Sequence, residues 1–169
     1  MNTMKKRWMS LFVENDIGVL ARISSLLSGK SYNIDSLTVG TTEDSSVSRM
    51  TISLTSDDKT FEQIKKQLMR SVEVIKVIDY TDTHIHMKEI LFIKIIHCTK
   101  DDIKEIFEIS EIFKTKLIDY DGKSVIMQCL QTEARNDALI QLMKKRFLNR
   151  IELVRGGSVA IEAIAFAER

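Results

Sequence analysis

Apolar residues change their spacing along this chain in one order that occurs twice: strand, helix, two strands, helix, strand. Trp8 to Val13, with Leu11, Phe12 and Val13 adjacent, has the density of a strand covered on both faces. After Glu14-Asn15-Asp16, the residues Val19, Leu20, Ile23, Leu26 and Leu27 recur at helical spacing, with Asp16 as the expected N-cap and Gly29 as the expected stop. Ile34, Leu37 and Val39 form an extended run. A polar turn over 41–46 returns the chain into Met50, Ile52 and Leu54, which alternate with Arg49, Thr51 and Ser53 as a hairpin requires. Asp57 and Asp58 open a helix whose stripe is Phe61, Ile64, Leu68 and Met69, and the β-branched run from Val72 to Ile78 closes the first set.

The second half repeats this order. Ile90 to Ile96 reads as a strand, Thr99-x-x-Asp102 as a capping box, and Ile103, Ile106, Phe107 and Phe113 as a helical stripe. Leu117-Ile118 and Val125 to Met127 flank Asp121-Gly122, a hairpin signal. Thr132 then caps a helix bearing Ala138, Leu139, Leu142 and Met143, and Ile151 to Val154 ends the pattern. The fold class is therefore α+β: two ferredoxin-like βαββαβ units in tandem, about 75 residues each. The expected boundaries are 1–80 and 88–169, joined by a linker at 81–87. A four-stranded sheet with both helices on one face leaves the other face bare and two edges unpaired, so each unit should seek a partner.

Composition narrows the function. Lys and Arg number 25 against 24 Asp and Glu, a net charge of +1, so no overall basic field draws in nucleic acid or anionic lipid. The basic run Lys144-Lys145-Arg146 beside Phe147 reads as a solvated helix face, because no RNA-binding aromatic signature accompanies it. No apolar run is long enough to cross a bilayer and no signal-peptide stretch follows the N-terminus, which leads us to expect a cytoplasmic protein. The two cysteines, Cys98 and Cys129, stand alone and read as buried thiols. His84, His86 and His97 are too few and scattered for a tetrahedral metal centre. Neither a nucleophile elbow, a phosphate loop, a dinucleotide turn nor a zinc-protease pair is present, so we assign no catalytic and no metal residues.

What remains is the first strand-helix turn. Gly18, taken as lying in the first helical turn, costs about 1 kcal/mol relative to Ala there, and close approach of a ligand would offset it. A helix start offers free N–H groups and partial positive charge to a carboxylate. Asn15 and Asn33 add amides able to read an ammonium and a carboxylate, while Ile17, Leu20 and Ile34 supply apolar surroundings, with Val19 in the same candidate set. On these features alone, Gly18 as a close helix contact and Asn15 and Asn33 as ordinary turn residues account for the sequence equally well.

The stretch from Glu14 to Ile52 resembles the N-terminal ACT domain of the acetolactate (acetohydroxyacid) synthase small subunits. The pattern E-N-x-x-G-x-L-x-R is met by Glu14, Asn15, Gly18, Leu20 and Arg22; Y-N-I-[DE]-S-L by Tyr32 to Leu37; and S-R-M-T by Ser48 to Thr51. Looser similarity continues through Lys88 to Leu91, Phe113 to Asp119, Asp137-Ala138 and Arg155 to Ala160. The resemblance implies a non-catalytic regulatory subunit that activates a large catalytic subunit and confers feedback inhibition by valine or another branched-chain amino acid. It further implies a homodimer through ACT domains, with the effector between the first turn of one copy and the second-strand region of the other, at Asn15, Gly18 and Asn33. The C-terminal unit is expected to contact the catalytic subunit. Thiamine diphosphate, Mg and FAD are expected on that partner and no cofactor on this chain. The sequence departs from the family at Lys88 and Lys114, where Arg is usual, at Glu133, where Gly is usual, and in the tail AIAFAER. The alternative is a free-standing ACT-type metabolite-responsive transcription regulator, which would need a DNA-reading motif that is not evident.

Overall fold

The structure, a computed structural model, describes residues 3–28 and 32–164. The chain divides into two compact units: residues up to His86 together with those from Ser158 onward, and Met87–Gly157. The boundaries read from the sequence thus differ at the tail, because residues from Ser158 pack with the first unit, and a strand already begins at Ile85 within the 81–87 stretch.

In the first unit, β1 (Lys5–Glu14), α1 (Val19–Ser28), β2 (Ile34–Thr41), β3 (Val47–Ser56), α2 (Asp58–Leu68) and β4 (Val74–Asp79) build an antiparallel sheet in the order β2-β3-β1-β4. The register Met9↔Ile52 and Leu11↔Met50 turns the apolar residues of the two central strands to one face. There they meet Val19, Ile23 and Leu27 of α1 and Phe61, Ile64 and Leu68 of α2, all fully or almost fully buried. Each such side chain contributes about 1.5–3 kcal/mol through removal of apolar surface from water. Asp57 caps α2 by accepting the Thr60 N–H at 2.8 Å, as its position predicts. Met69, assigned to the stripe, instead follows the last turn and is exposed, since the helix has ended before it completes another turn toward the core. Gly29, the expected stop of α1, lies outside the described residues.

The opposite face of this sheet is not bare. Ser10, Thr51, Ser53 and Tyr80 are buried, and the tail reaches this unit through hydrogen bonds from Thr38 Oγ1 to the Ser158 carbonyl at 3.0 Å and from Ala163 N to the His84 carbonyl at 2.9 Å. The double-sided cover read into Trp8 to Val13 is present: Met9, Leu11 and Val13 face the helices, while Ser10 is enclosed on the other side.

In the second unit, β5 (Ile85–Ile95), α3 (Lys100–Phe113), β6 (Lys116–Tyr120), β7 (Val125–Gln131), α4 (Glu133–Arg146) and β8 (Ile151–Glu162) give the order β6-β7-β5-β8. Leu91, Ile93, Ile95, Val125, Met127 and Cys129 line the helix-covered face, against Ile106, Ile109, Leu139, Met143 and Phe147. Cys98 and Cys129 are free and buried, and burial pushes both thiols up, which suits inert core residues. The capping box is complete: Asp102 N donates to Thr99 Oγ1 at 3.1 Å and Thr99 N to Asp102 Oδ2 at 2.8 Å. α3 ends at Lys114 in the left-handed conformation, φ 56°. β8 approaches β5 where it has no side chain, since a Cβ on Gly156 would sit 2.5 Å from Ile90 Cγ2.

The hairpin expected at Asp121-Gly122 forms between β6 and β7, while the helical stripes and the cap of α4 differ in detail. Phe107 and Ala138 point outward, because the buried stripes run one residue differently, through Ile106, Ile109 and Ser110 on α3 and through Asn136, Leu139, Ile140 and Met143 on α4. Thr132 occupies the N-cap of α4 without a side-chain capping bond. The β6–β7 connection is a four-residue turn: Asp121 Oδ1 accepts the Lys123 and Ser124 amides at 2.9 and 2.6 Å, and Gly122 takes φ +89°.

Candidate functional site

The turn between β1 and α1 is held from two sides. Asn15 N donates to the Ser46 carbonyl at 2.7 Å, Asn15 Nδ2 to the Ser45 carbonyl at 2.9 Å, and Ser48 Oγ to Asn15 Oδ1 at 2.8 Å. On the other side Glu14 N donates to the Glu73 carbonyl at 3.0 Å, and Arg22 Nε pairs with Glu73 Oε1 at 2.6 Å. The hydrogen bond from the Ser71 hydroxyl holds the Glu73 carboxyl below its ordinary range, so the partner of Arg22 stays ionised. The Asn15 side chain is therefore a bracket between the turn and the β2–β3 loop.

Gly18 is not inside the helix. It immediately precedes α1 and its carbonyl accepts the first helical bond, from Arg22 N at 3.0 Å, so it occupies the capping position assigned to Asp16. Asp16 contributes its carbonyl to Val19 N at 3.3 Å instead. The φ of Gly18 is +88°, a region that L side chains rarely adopt, and the space beside it is open except for Arg22 Nη1, which a Cβ would meet at 3.4 Å. Glycine is thus required by conformation as well as by access. The amides of Gly18, Leu20 and Ala21 have no backbone acceptor among the described residues, which leaves the helix start able to grip a carboxylate.

Of the apolar candidates, Ile17 is fully exposed and Leu20 is 41% exposed, an unusual placement for two large aliphatic residues beside free amides. Val19 is buried in the core, where only its backbone is near the turn. Asn33 is exposed just ahead of β2, and Ile34 opens that strand, half-buried against the core. No hydrogen bond joins Asn33 or Ile34 to the turn within one chain. Among the described residues β2 pairs with β3 alone, so its outer edge has no partner strand there. Sequence reasoning missed the supporting residues Ser45, Ser46, Ser48, Arg22 and Glu73. The first two lie in a polar turn with no distinguishing pattern, whereas Ser48 and Arg22 fall within the matched motifs. No cluster of three His, Cys, Asp or Glu side chains suited to a metal occurs among the described residues, and no described helix is long and apolar enough to cross a membrane.

Comparison with known proteins agrees in both halves. Residues 9–76 match the model of the AHAS small subunit-like ACT domain, and residues 88–164 match the model of the small subunit of acetolactate synthase. The chain is 36% identical over 158 residues to the acetolactate synthase small subunit of Aquifex aeolicus, covering 94% of this chain and 81% of that protein. It is 38% identical over 156 residues to the probable acetolactate synthase small subunit of Archaeoglobus fulgidus, covering 92% and 96%. The crystal structure of the acetolactate synthase small subunit from Thermotoga maritima superposes with a TM-score of 0.85 at 31% identity, over 96% of this chain and 99% of that one.

Proposed function

Because this chain belongs to the family of acetolactate synthase small subunits, we propose that it binds a branched-chain amino acid, valine foremost, and thereby sets the activity of a catalytic large subunit. Family membership supports the regulatory role and the large-subunit partner. The observation that carries the effector assignment is the turn at Gly18: a φ only glycine adopts freely, unpaired amides at a helix start, and Ile17 and Leu20 exposed beside them.

The carboxylate of the effector docks on those amides, its aliphatic side chain contacts Ile17 and Leu20, and Asn33 with Ile34 of a second copy closes the other side across the unpaired edge of β2. A site for a metabolite near 0.1 mM requires only about −5.5 kcal/mol. One buried valine side chain at about 1.5–3 kcal/mol and two charge-assisted hydrogen bonds of similar size suffice after ordering costs. Thiamine diphosphate, Mg and FAD belong, in this reading, to the catalytic partner.

The test is calorimetry of the purified chain with valine, leucine and isoleucine, followed by a synthase assay with the large subunit. Saturable binding of one of them, with activation by the chain and inhibition by that amino acid, is expected. Absence of binding by all three removes the effector assignment.

A further inference from the structure

Arg49 stands on β3 opposite Phe12 of β1, on the sheet face away from the helices, since its neighbour Met50 points into the core. Its guanidinium lies 5.0 Å from the centroid of the Phe12 ring. Nε donates to Ser10 Oγ at 2.8 Å, and Nη2 to Tyr80 OH at 2.6 Å and the Ala160 carbonyl at 3.3 Å. One planar fork thus ties together β1, the residue after β4 and the end of β8, a geometry that a lysine ammonium cannot reproduce. Beside it, Thr38 on β2 holds the Ser158 carbonyl.

β2 is also the strand that Asn33 precedes and Ile34 opens. Its pairing with β3 shifts register between Ile34 and Ser36, while the remainder, which includes Thr38, pairs regularly. Ile34 and Thr38 belong to the same strand, so the residues at its start and the hydrogen bond to Ser158 share one backbone. We propose that Arg49 is a positioning residue that latches the tail Ser158–Ala163 onto the first sheet, and that the seating of this latch responds, through Thr38, to occupancy of the effector site. The second half of this statement rests on the effector reading above; the first half does not. The consequence is that β8, whose earlier residues belong to the second sheet, carries information about effector binding along its own backbone.

The experiment is hydrogen exchange on the intact chain, read in the peptide spanning Ser158 to Ala163, whose Ala163 amide is bonded to the His84 carbonyl. Wild type, Arg49→Met, Arg49→Lys and Thr38→Val are compared with and without saturating valine, and calorimetry measures valine binding to each. Without valine, exchange of this peptide is expected to be roughly tenfold faster in Arg49→Met, and not restored in Arg49→Lys. Valine is expected to change its exchange in wild type by roughly fivefold or more, and not in Thr38→Val. A merely structural Arg49 would lower thermal stability while leaving the valine-dependent change intact, which overturns the coupling. Exchange within twofold of wild type in unliganded Arg49→Met overturns the latch. If no valine binding is detected in wild type, the coupling falls with the effector reading, while the latch is decided by the unliganded comparison.

Discussion

Arg155 grips Glu89 with a two-pronged fork: Nε lies 2.5 Å from one carboxylate oxygen and Nη2 2.8 Å from the other, while Nη1 reaches Asp137 Oδ1 at 2.8 Å. Glu89 is buried on β5, Asp137 is on α4 and Arg155 is on β8, so one guanidinium joins three elements of the second unit. Asn136, wholly buried, adds a bond from its Nδ2 to the Glu89 carbonyl at 3.1 Å. The guanidinium proton is held more tightly than usual, chiefly by the hydrogen bonds to Glu89.

Breaking this fork on the carboxylate side leaves a partly exposed arginine short of acceptors. Glu89→Gln should lower the stability of the second unit by about 1–3 kcal/mol, the range for charge-assisted bonds discounted for the exposure of Arg155. Urea unfolding monitors the loss, and the same substitution in an Arg155→Met background should cost less, because the two residues are coupled.

Gly18→Asp and Gly18→Asn impose similar backbone strain at φ +88°, but only the first adds a negative charge where the effector carboxylate is proposed to sit. Calorimetry should show valine binding lost in the aspartate variant and weakened no more than about tenfold in the asparagine one. Equal binding in both would remove the charge argument.

Asp102 supplies a pH dependence with a definite sign. Hydrogen bonds from Arg150, at 2.8 and 3.3 Å, and from the Thr99 amide hold its pKa at about 2, below the ordinary 3.8. The native carboxylate therefore binds its proton more weakly than the unfolded one. Its stabilisation is complete above about pH 4 and disappears as pH falls toward 2. Thermal melts of wild type between pH 5 and 2 should fall more steeply than those of Asp102→Asn, which lacks the titrating group.

Lys114 ends α3 in the left-handed region at φ 56°, where a Cβ is costly. Lys114→Gly should stabilise the chain by about 0.5–1 kcal/mol, the conformational relief exceeding the added freedom of the unfolded chain. Differential scanning calorimetry would show the rise, and a fall in melting temperature would count against the relief.

The order of elements was legible because each strand and helix buries one face, and burial writes its period into Met9, Leu11 and Val13 or into Phe61, Ile64 and Leu68. Errors of one residue in the stripes of α3 and α4 arose because α3 carries the exposed apolar residues Phe107 and Ile112 off its core face, and α4 buries the polar Asn136. At the candidate site, Gly18 stood out by composition, but the bonds that hold its turn, from Asn15 to Ser45 and Ser46 and from Glu14 to Glu73, reach loops distant in sequence. The role of Arg49 was invisible for the same reason, since its acceptors Ser10, Tyr80 and Ala160 are spread along the chain with no local spacing.

Arg49 and Ala160 are 111 positions apart. The tail residues Ser158 and Ala160 therefore reach Thr38 and Arg49 of the first sheet from far along the chain. The first sheet is thus completed by a segment that follows the whole second unit in the chain, so a contact of high sequence separation must close before that face is finished.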